Sequence, residues 1–325
     1  MSVTRSSFIK AMVKDAYPYA IESYDSIPKV RDVLFDIQDT TASYEQYTSA
    51  IGPGKLTKVA EGSTVPLQST QEGFTVYCAV NKFPTGLPLT NEAIDDNQKI
   101  GNFLKEWAKG LGETGVLTSE GDHADLFNYG GYTSGHATFS NSVAGVISPS
   151  YGNFIYDGKP FFALSGNEHT AKNGGTYYNS ISSLSMGGTA LETLVKLLSV
   201  TNAFDEAGNE VSIRPDTLLM QENCTNYFIA KRLLESMGDP DATHSGVTNI
   251  WKSSLKLVGW RFLTDSDAIF VGCSKKGLKS LNRMPLTLDY DEDKSKQVQI
   301  VYGTMRFGKC ISNFRYWVAA NLATS

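Results

Sequence analysis

The sequence has no apolar run near the roughly 18 residues that a membrane-spanning helix needs. It does not open with the charged-then-apolar pattern of a secretion signal. These two absences point to synthesis and function in the cytoplasm. Cysteine is scarce: Cys78, Cys224, Cys273 and Cys310 are widely scattered and show no paired metal-ligand spacing. Free, mostly buried thiols in a reducing compartment are the expectation. Positive charge is also in deficit, with 29 Lys and Arg against 34 Asp and Glu and a net charge of -5. That balance argues against a protein whose main business is gripping nucleic acid, because neutralising phosphates needs a basic field.

Catalytic signatures are missing as well. There is no G-x-S-x-G, phosphate loop, dinucleotide fingerprint or H-E-x-x-H, and Gly52-Pro53-Gly54-Lys55 lacks the upstream glycine of a phosphate loop. His123, His136 and His169, with Asp122, Asp125 and Glu168, have the chemistry of a metal or acid/base cluster. Their spacing matches no ligand scheme, so hydrogen-bonded loop histidines are expected. Asp289, Asp291 and Asp293 imitate the start of a calcium loop, but Lys294 replaces its glycine and Ile300 its closing glutamate. A solvated acidic turn is the reading. No catalytic, cofactor-binding or metal-ligating residue is assigned.

What is present is an ordinary globular composition of 325 residues, 41% hydrophobic, with enough length to bury a core. Tyr and Phe number 16 each, and exposed aromatics tend to mark interfaces. The organising stretch is Thr90–Leu111, where Thr90 caps, Glu92, Asp95 and Asp96 crowd the first turns, and Lys105 and Lys109 sit near the far end. Ile94, Ile100, Leu104, Trp107 and Leu111 supply its apolar side. Such a helix is about 33 Å long, enough to cross a domain.

Before it, Phe74, Val76, Cys78 and Val80 alternate with polar neighbours as a half-buried strand does. Lys58–Val65 is its expected partner and residues 66–73 the tip. Two strands are marginal alone, so this hairpin is expected to find support elsewhere, with another subunit as a natural source. Residues 1–53 carry scattered tyrosines, breaks at Pro18 and Pro28 and no strong core pattern, which suggests an arm. Asp125–Gly131 and Tyr156–His169 read as short strands and turns, and Thr189–Ser199 as a helix. From Ser212 a small α/β unit follows: strand Thr217–Met220, a helix over 222–237 packing Phe228, Leu233 and Leu234, then strands Ser254–Phe262 and Ala268–Gly272. Strands near 286–290 and 297–307 end the chain, with Gly308-Lys309 turning it back.

Several stretches, in this order, resemble tailed-bacteriophage coat proteins of the Hong Kong 97 fold, and among them the Mu-like major head subunits. EGFTVYCAVNKF followed by LTNEAIDDNQ resembles that family's join of extended loop and spine helix. DLFNYGG with DGKPFFALSGNEHT resembles its middle segment, DEAGNEVSIRPDTLLM its lead into the axial domain, and QVQIVYGTMRFGKCISNFRYW its closing strands. The resemblance implies an α+β fold with an N-terminal arm (1–53), an extended β-hairpin loop (54–86), a peripheral domain with the spine helix (87–211 and 286–325) and an axial domain (212–285).

It further implies a non-enzymatic major capsid protein, located in the virion after assembly in the host cytoplasm, tiling an icosahedral shell as hexamers and pentamers around double-stranded DNA. Contacts between subunits would involve Phe8, Tyr17, Tyr19, Tyr24, Val65, Leu67, Phe74, Val76 and Tyr77. Implied partners are a separate scaffolding protein, since the chain enters its arm almost at once, together with the portal and a decoration protein. DNA would be touched only non-specifically. Lys58 and Lys82 fall only near the expected hairpin's base, with no lysine at its tip, which predicts a shell without lysine cross-links. An encapsulin-type compartment shell is the alternative function, and a hydrolase built on the three histidines the remote one.

Overall fold

The computed structural model describes residues 5–51, 56, 58–67, 71–96, 99–132, 155, 157–238 and 248–323. From the N-terminus come α1 (Arg5–Ser26), α2 (Arg31–Leu34), β1 (Asp36–Asp39), β2 (Tyr44–Ile51), β3 (Gln71–Thr90), α3 (Asn91–Asp96) and α4 (Ile100–Asn128). Then follow β4 (His169–Thr170), β5 (Thr176–Tyr177), β6 (Ser180–Ile181), α5 (Gly188–Lys196), β7 (Thr217–Gln221) and α6 (Thr225–Glu235). The last elements are β8 (Lys256–Trp260), β9 (Ile269–Gly272), β10 (Leu278–Asp293), β11 (Val298–Ile311) and β12 (Trp317–Ala320). Helices packed with one largely antiparallel sheet and one mixed sheet make this an α+β fold.

The first sheet has the order β1-β10-β11-β3-β2. Its long β10 and β11 run antiparallel, and β11 runs antiparallel to the second half of β3, from Val298 opposite Thr90 to Gly308 opposite Val80. Pro84 and Pro88 lie in that half of β3, whose other edge has no strand partner among the described residues because β2 pairs only with residues 71–79. A proline lacks the donor an inner strand requires, so a one-sided stretch is where it fits. The second sheet has the order β6-β12-β9-β7-β8, with β7 and β9 buried along most of their length.

Between the sheets lies an aromatic core. Phe127, near the end of α4, meets Phe35, Trp260, Phe270 and Trp317 edge-on at centroid distances of 5.2–6.5 Å. Edge-to-face contact is the arrangement that ring quadrupoles favour. Much of the phenylalanine excess, read above as adhesive surface, is therefore spent inside: Phe35, Phe127, Phe161, Phe162, Phe270, Phe307 and Phe314 are all buried. Phe228 departs in the other direction, facing solvent at 47% exposure on α6 while Leu233 and Leu234 pack inward.

The spine helix differs most from expectation. Thr90 does cap, accepting from the Ala93 N–H at 3.2 Å, but it caps the short α3, and Ile94 belongs there. The long α4 continues 17 residues past Leu111, to Asn128, taking in Asp125–Asn128 of the segment read as a strand. Glycines at 110, 112, 115 and 121 are what made the sequence look broken, since each costs a helix about 1 kcal/mol relative to alanine. Gly112 has a reason: a Cβ there would stand 2.3 Å from the Ala20 carbonyl oxygen of α1.

That contact corrects the reading of the arm. Ile9, Val13, Ala16 and Ala20 form a buried stripe that packs on Leu104, Ala108 and Leu111 of α4. Residues 5–26 are one continuous helix, with Pro18 on its exposed side. The second unit also has other limits than 212–285. Its sheet takes β6 from before that range and β12 from after it, and Leu191, Leu194 and Leu198 of the α5 region fill its core. Gly308-Lys309 does not turn the chain: it lies inside β11, where glycine lets the Ala79 carbonyl oxygen come within 2.3 Å of the would-be Cβ.

Candidate assembly surfaces

The hairpin at the edge of the first sheet is built from other residues than expected. Its strands are β2 and the first part of β3, paired from Tyr44 opposite Ala79 to Ile51 opposite Gln71 with a bulge between Thr48 and Ala50. Lys58–Val65 forms no strand; it belongs to the connection 52–70, and so Lys58 stands in the tip and not at the base. The lysine argument against cross-links loses its basis with it. Lys82 lies in β3, opposite Arg306.

The connection 52–70 is fastened at its root, where the paired strands end, by polar contacts. Glu206, 8% exposed, accepts from the Phe74 N–H through Oε2 at 3.0 Å and from Ser49 Oγ through Oε1 at 2.9 Å, so that it holds both strands. Lys172 Nζ donates to the Glu72 carbonyl. Arg315, also buried, lies behind Glu206 at 3.8 Å. Gly73 is what admits the carboxylate, because a Cβ at that position would come within 2.5 Å of Glu206 Oε2.

The tip is the opposite of the root. Leu56 is 94% exposed, Leu67 96%, Val65 69% and Val59 45%. Covering one such side chain is worth about 1.5–3 kcal/mol, and several exposed aliphatic side chains close together in sequence mark a contact surface. Val65 and Leu67 were expected here; Leu56 and Val59 were missed because the sequence placed that run in a strand or its approach.

The other expected contact residues are engaged within the chain. Tyr17 donates to the Leu286 carbonyl at 3.3 Å, Tyr19 lies under Lys105 and Lys109, and Tyr24 sits beneath Lys29 and accepts from Arg31. Val76 is 4% exposed, while Phe74 and Tyr77 are half-buried. Phe8 lies in α1, but its side chain is outside the described residues. In α4, Ile100, Leu104 and Leu111 are buried and Trp107 packs against the same cluster, as the periodicity indicated.

A buried polar layer joins the two sheets through α4. Glu120 accepts from the Val30 and Arg31 N–H groups at 3.1 and 3.2 Å and from Trp260 Nε1 at 2.8 Å. Burial raises its pKa, and these donors and the Arg31 charge only partly offset the effect. Lys309, 6% exposed, pairs with Asp122 at 3.0 Å, and burial lowers its pKa against that partner's pull.

The histidines serve this packing. His123 is in α4 and not in a loop; its Nδ1 donates to the Ser119 carbonyl at 2.7 Å and its Nε2 accepts from Ser280 Oγ at 2.9 Å. Burial above all, with the charges of Arg31 and Lys309, pushes its pKa far down. His169 bonds Asp157 at 2.8 Å and stacks on Phe314 at 3.7 Å, fully buried. His136 is outside the described residues. A solvent-open cavity of about 850 Å³ lies between α1, β1 and β10, and neither histidine lines it. Asp289, Asp291 and Asp293 run along β10 instead of forming a turn. Among the described residues no group of three or more metal-ligating side chains converges, and no helix is long and apolar enough to cross a membrane.

No family model matches the sequence, and no curated protein does. Solved structures do. The capsid of a native GTA particle, computed with C5 symmetry, aligns at a TM-score of 0.55 and 12% identity over 91% of this chain and 90% of that one. The corresponding empty particle gives 0.50 and 13%, over 91% and 89%. The capsid of the cyanophage P-SCSP1u gives 0.51 and 12%, over 92% and 89%. At such identities the likeness is one of architecture, and over nine-tenths of its length this chain has the fold of a phage-type capsid subunit.

Proposed function

We propose that the chain is a major capsid protein that self-assembles, as hexamers and pentamers, into the icosahedral shell around the double-stranded DNA of a tailed phage. The observation that carries this reading is the hairpin. Its root is locked by Glu206 and its tip holds Leu56, Val65 and Leu67 in water. An isolated chain gains nothing from that arrangement, whereas a neighbour that covers the tip recovers the hydration cost of each side chain. Tip-to-neighbour contact is heterologous, and repeated around closed rings it builds a shell.

In this reading the first sheet with α1 and α4 is the peripheral unit, the second sheet with α5 and α6 the axial unit, and the protein is a component of the virion without enzymatic activity. The likeness of its sequence segments to Mu-like head subunits supports that subtype. Scaffolding, portal and decoration proteins are the partners such a shell accepts. The net charge of -5 favours non-specific contact with DNA over specific grip. Electron microscopy of particles purified from the native genetic setting, with a nuclease-protection assay, tests the proposal. Closed shells with protected DNA are expected; shells that enclose protein and no protected DNA would point to a compartment instead.

A further inference from the structure

Two of the four free cysteines lie where the hairpin leaves the first sheet. Cys78 is on β3, opposite Glu45 of β2, and Cys310 is on β11, opposite Lys279 of β10. The β11–β3 ladder ends with Gly308 opposite Val80, and continuing its register by two residues sets Cys310 directly across from Cys78. Both are fully buried, and they share one cluster with Val80, Leu281 and Tyr47. Directly opposed residues of antiparallel strands have Cα atoms about 4.5 or 5.5 Å apart, and a disulfide spans roughly 4.4–6.8 Å. Continued in that register, the two Cα atoms fall within the span a disulfide bridges.

The other two cysteines have different roles. Cys224 accepts from the Tyr227 N–H at the start of α6, and Cys273 donates to the Arg214 carbonyl. Neither takes part in the cluster.

We infer that Cys78 and Cys310 are a latent cross-strand disulfide, closed by a small-molecule disulfide such as oxidised glutathione, that staples the root of the hairpin to the central strand of the sheet. One protein thiol gives up its proton and attacks the oxidant's S–S bond, expelling one glutathione thiolate and leaving a mixed disulfide. The second thiol, deprotonated in turn, displaces the remaining glutathione. The two cysteines are oxidised, one glutathione disulfide is reduced to two thiols, and the protons pass to the expelled thiolates.

Burial, the contact with Cys310 and that thiol's charge push the Cys78 thiol well up, so the closed root is unreactive. Oxidation waits on local opening of the strands around the pair, which the burial of both side chains opposes. The staple belongs to the single chain and does not rest on the assembly proposal. Because Cys78 and Cys310 are distant in sequence, closure restricts the unfolded chain and raises the melting temperature.

The test uses the purified full-length chain, incubated with oxidised glutathione both at 25 °C and a few degrees below its melting transition. Free thiols are then alkylated in denaturant and the chain is digested without reductant. The expected result is a single linked pair of peptides, one with Cys78 and one with Cys310, lighter by two hydrogen atoms and separated by dithiothreitol, with Cys224 and Cys273 alkylated. It is accompanied by a melting temperature several degrees higher than in a Cys310→Ser chain treated alike. Recovery of Cys78 and Cys310 both alkylated at the higher temperature, each carrying glutathione, or linked to other cysteines would overturn the inference.

Discussion

Trp260 donates its indole N–H to Glu120 Oε2 over 2.8 Å, at a point where both side chains are closed off from water. The bond joins the second sheet to the middle of α4, and the same carboxylate holds the backbone that leads from α1 into α2. Because all three groups facing Glu120 are donors, an amide there must turn an N–H toward another N–H. Glu120→Gln is therefore expected to destabilise the chain by about 2 kcal/mol although it removes a buried charge. Trp260→Phe should cost less, and chemical denaturation midpoints of the two variants provide the comparison.

Gly112 sets how closely α1 approaches α4. A methyl at this position meets backbone atoms of Ala20 and Tyr24, which cannot rotate away, so relief requires moving the whole helix. Gly112→Ala is expected to lose about 1–3 kcal/mol and to make residues 5–26 susceptible to limited proteolysis. Gly110→Ala, where the added methyl meets open space, should stabilise α4 slightly.

Asp157 gives the chain a specific acid sensitivity. Burial works against its ionisation, but the His169 hydrogen bond and charge, with the Lys159 and Thr170 N–H groups, hold its pKa below the ordinary 3.8. A carboxyl depressed on folding contributes stability that is complete above its unfolded pKa and lost as pH falls through the folded value. Asp157→Asn should cost about 1–2 kcal/mol at neutral pH and flatten the decline in urea midpoint below about pH 4.

The tip separates assembly from folding. Val65→Asp with Leu67→Asp replaces aliphatic side chains that are largely exposed among the described residues by charges. The monomer's melting is expected to stay within about 0.5 kcal/mol of the parent while particle formation is lost. A matched change at the buried Val76 should reverse the pattern and damage folding first.

The stripe Ile100, Leu104, Trp107, Leu111 was legible because helical period and burial agree, and the alternation around Val76 and Cys78 because a strand buries every second residue. The second half of α4 was not, since Gly112 and Gly115 serve the packing of α1, a relationship across more than 90 positions that propensity does not contain. The stripe Ile9, Val13, Ala16, Ala20 was written in the sequence at helical spacing; two of its members are alanines, which bury little and read as neutral. The strand partner was misassigned because Lys58–Val65 is nearer to Phe74 than Tyr44–Ile51 is, and the long connection hides the true pairing. The polar layer of Glu120, His123 and Lys309 left no local signal, since each residue draws its meaning from partners on other elements.

The central claim is that the exposed hairpin tip is completed by neighbouring copies in a closed lattice. Sedimentation velocity of the purified chain at rising concentration tests it most directly. The account predicts rings and fast-sedimenting particles that vanish in the Val65→Asp, Leu67→Asp chain, and a parent chain that remains a monomer at every concentration would contradict it.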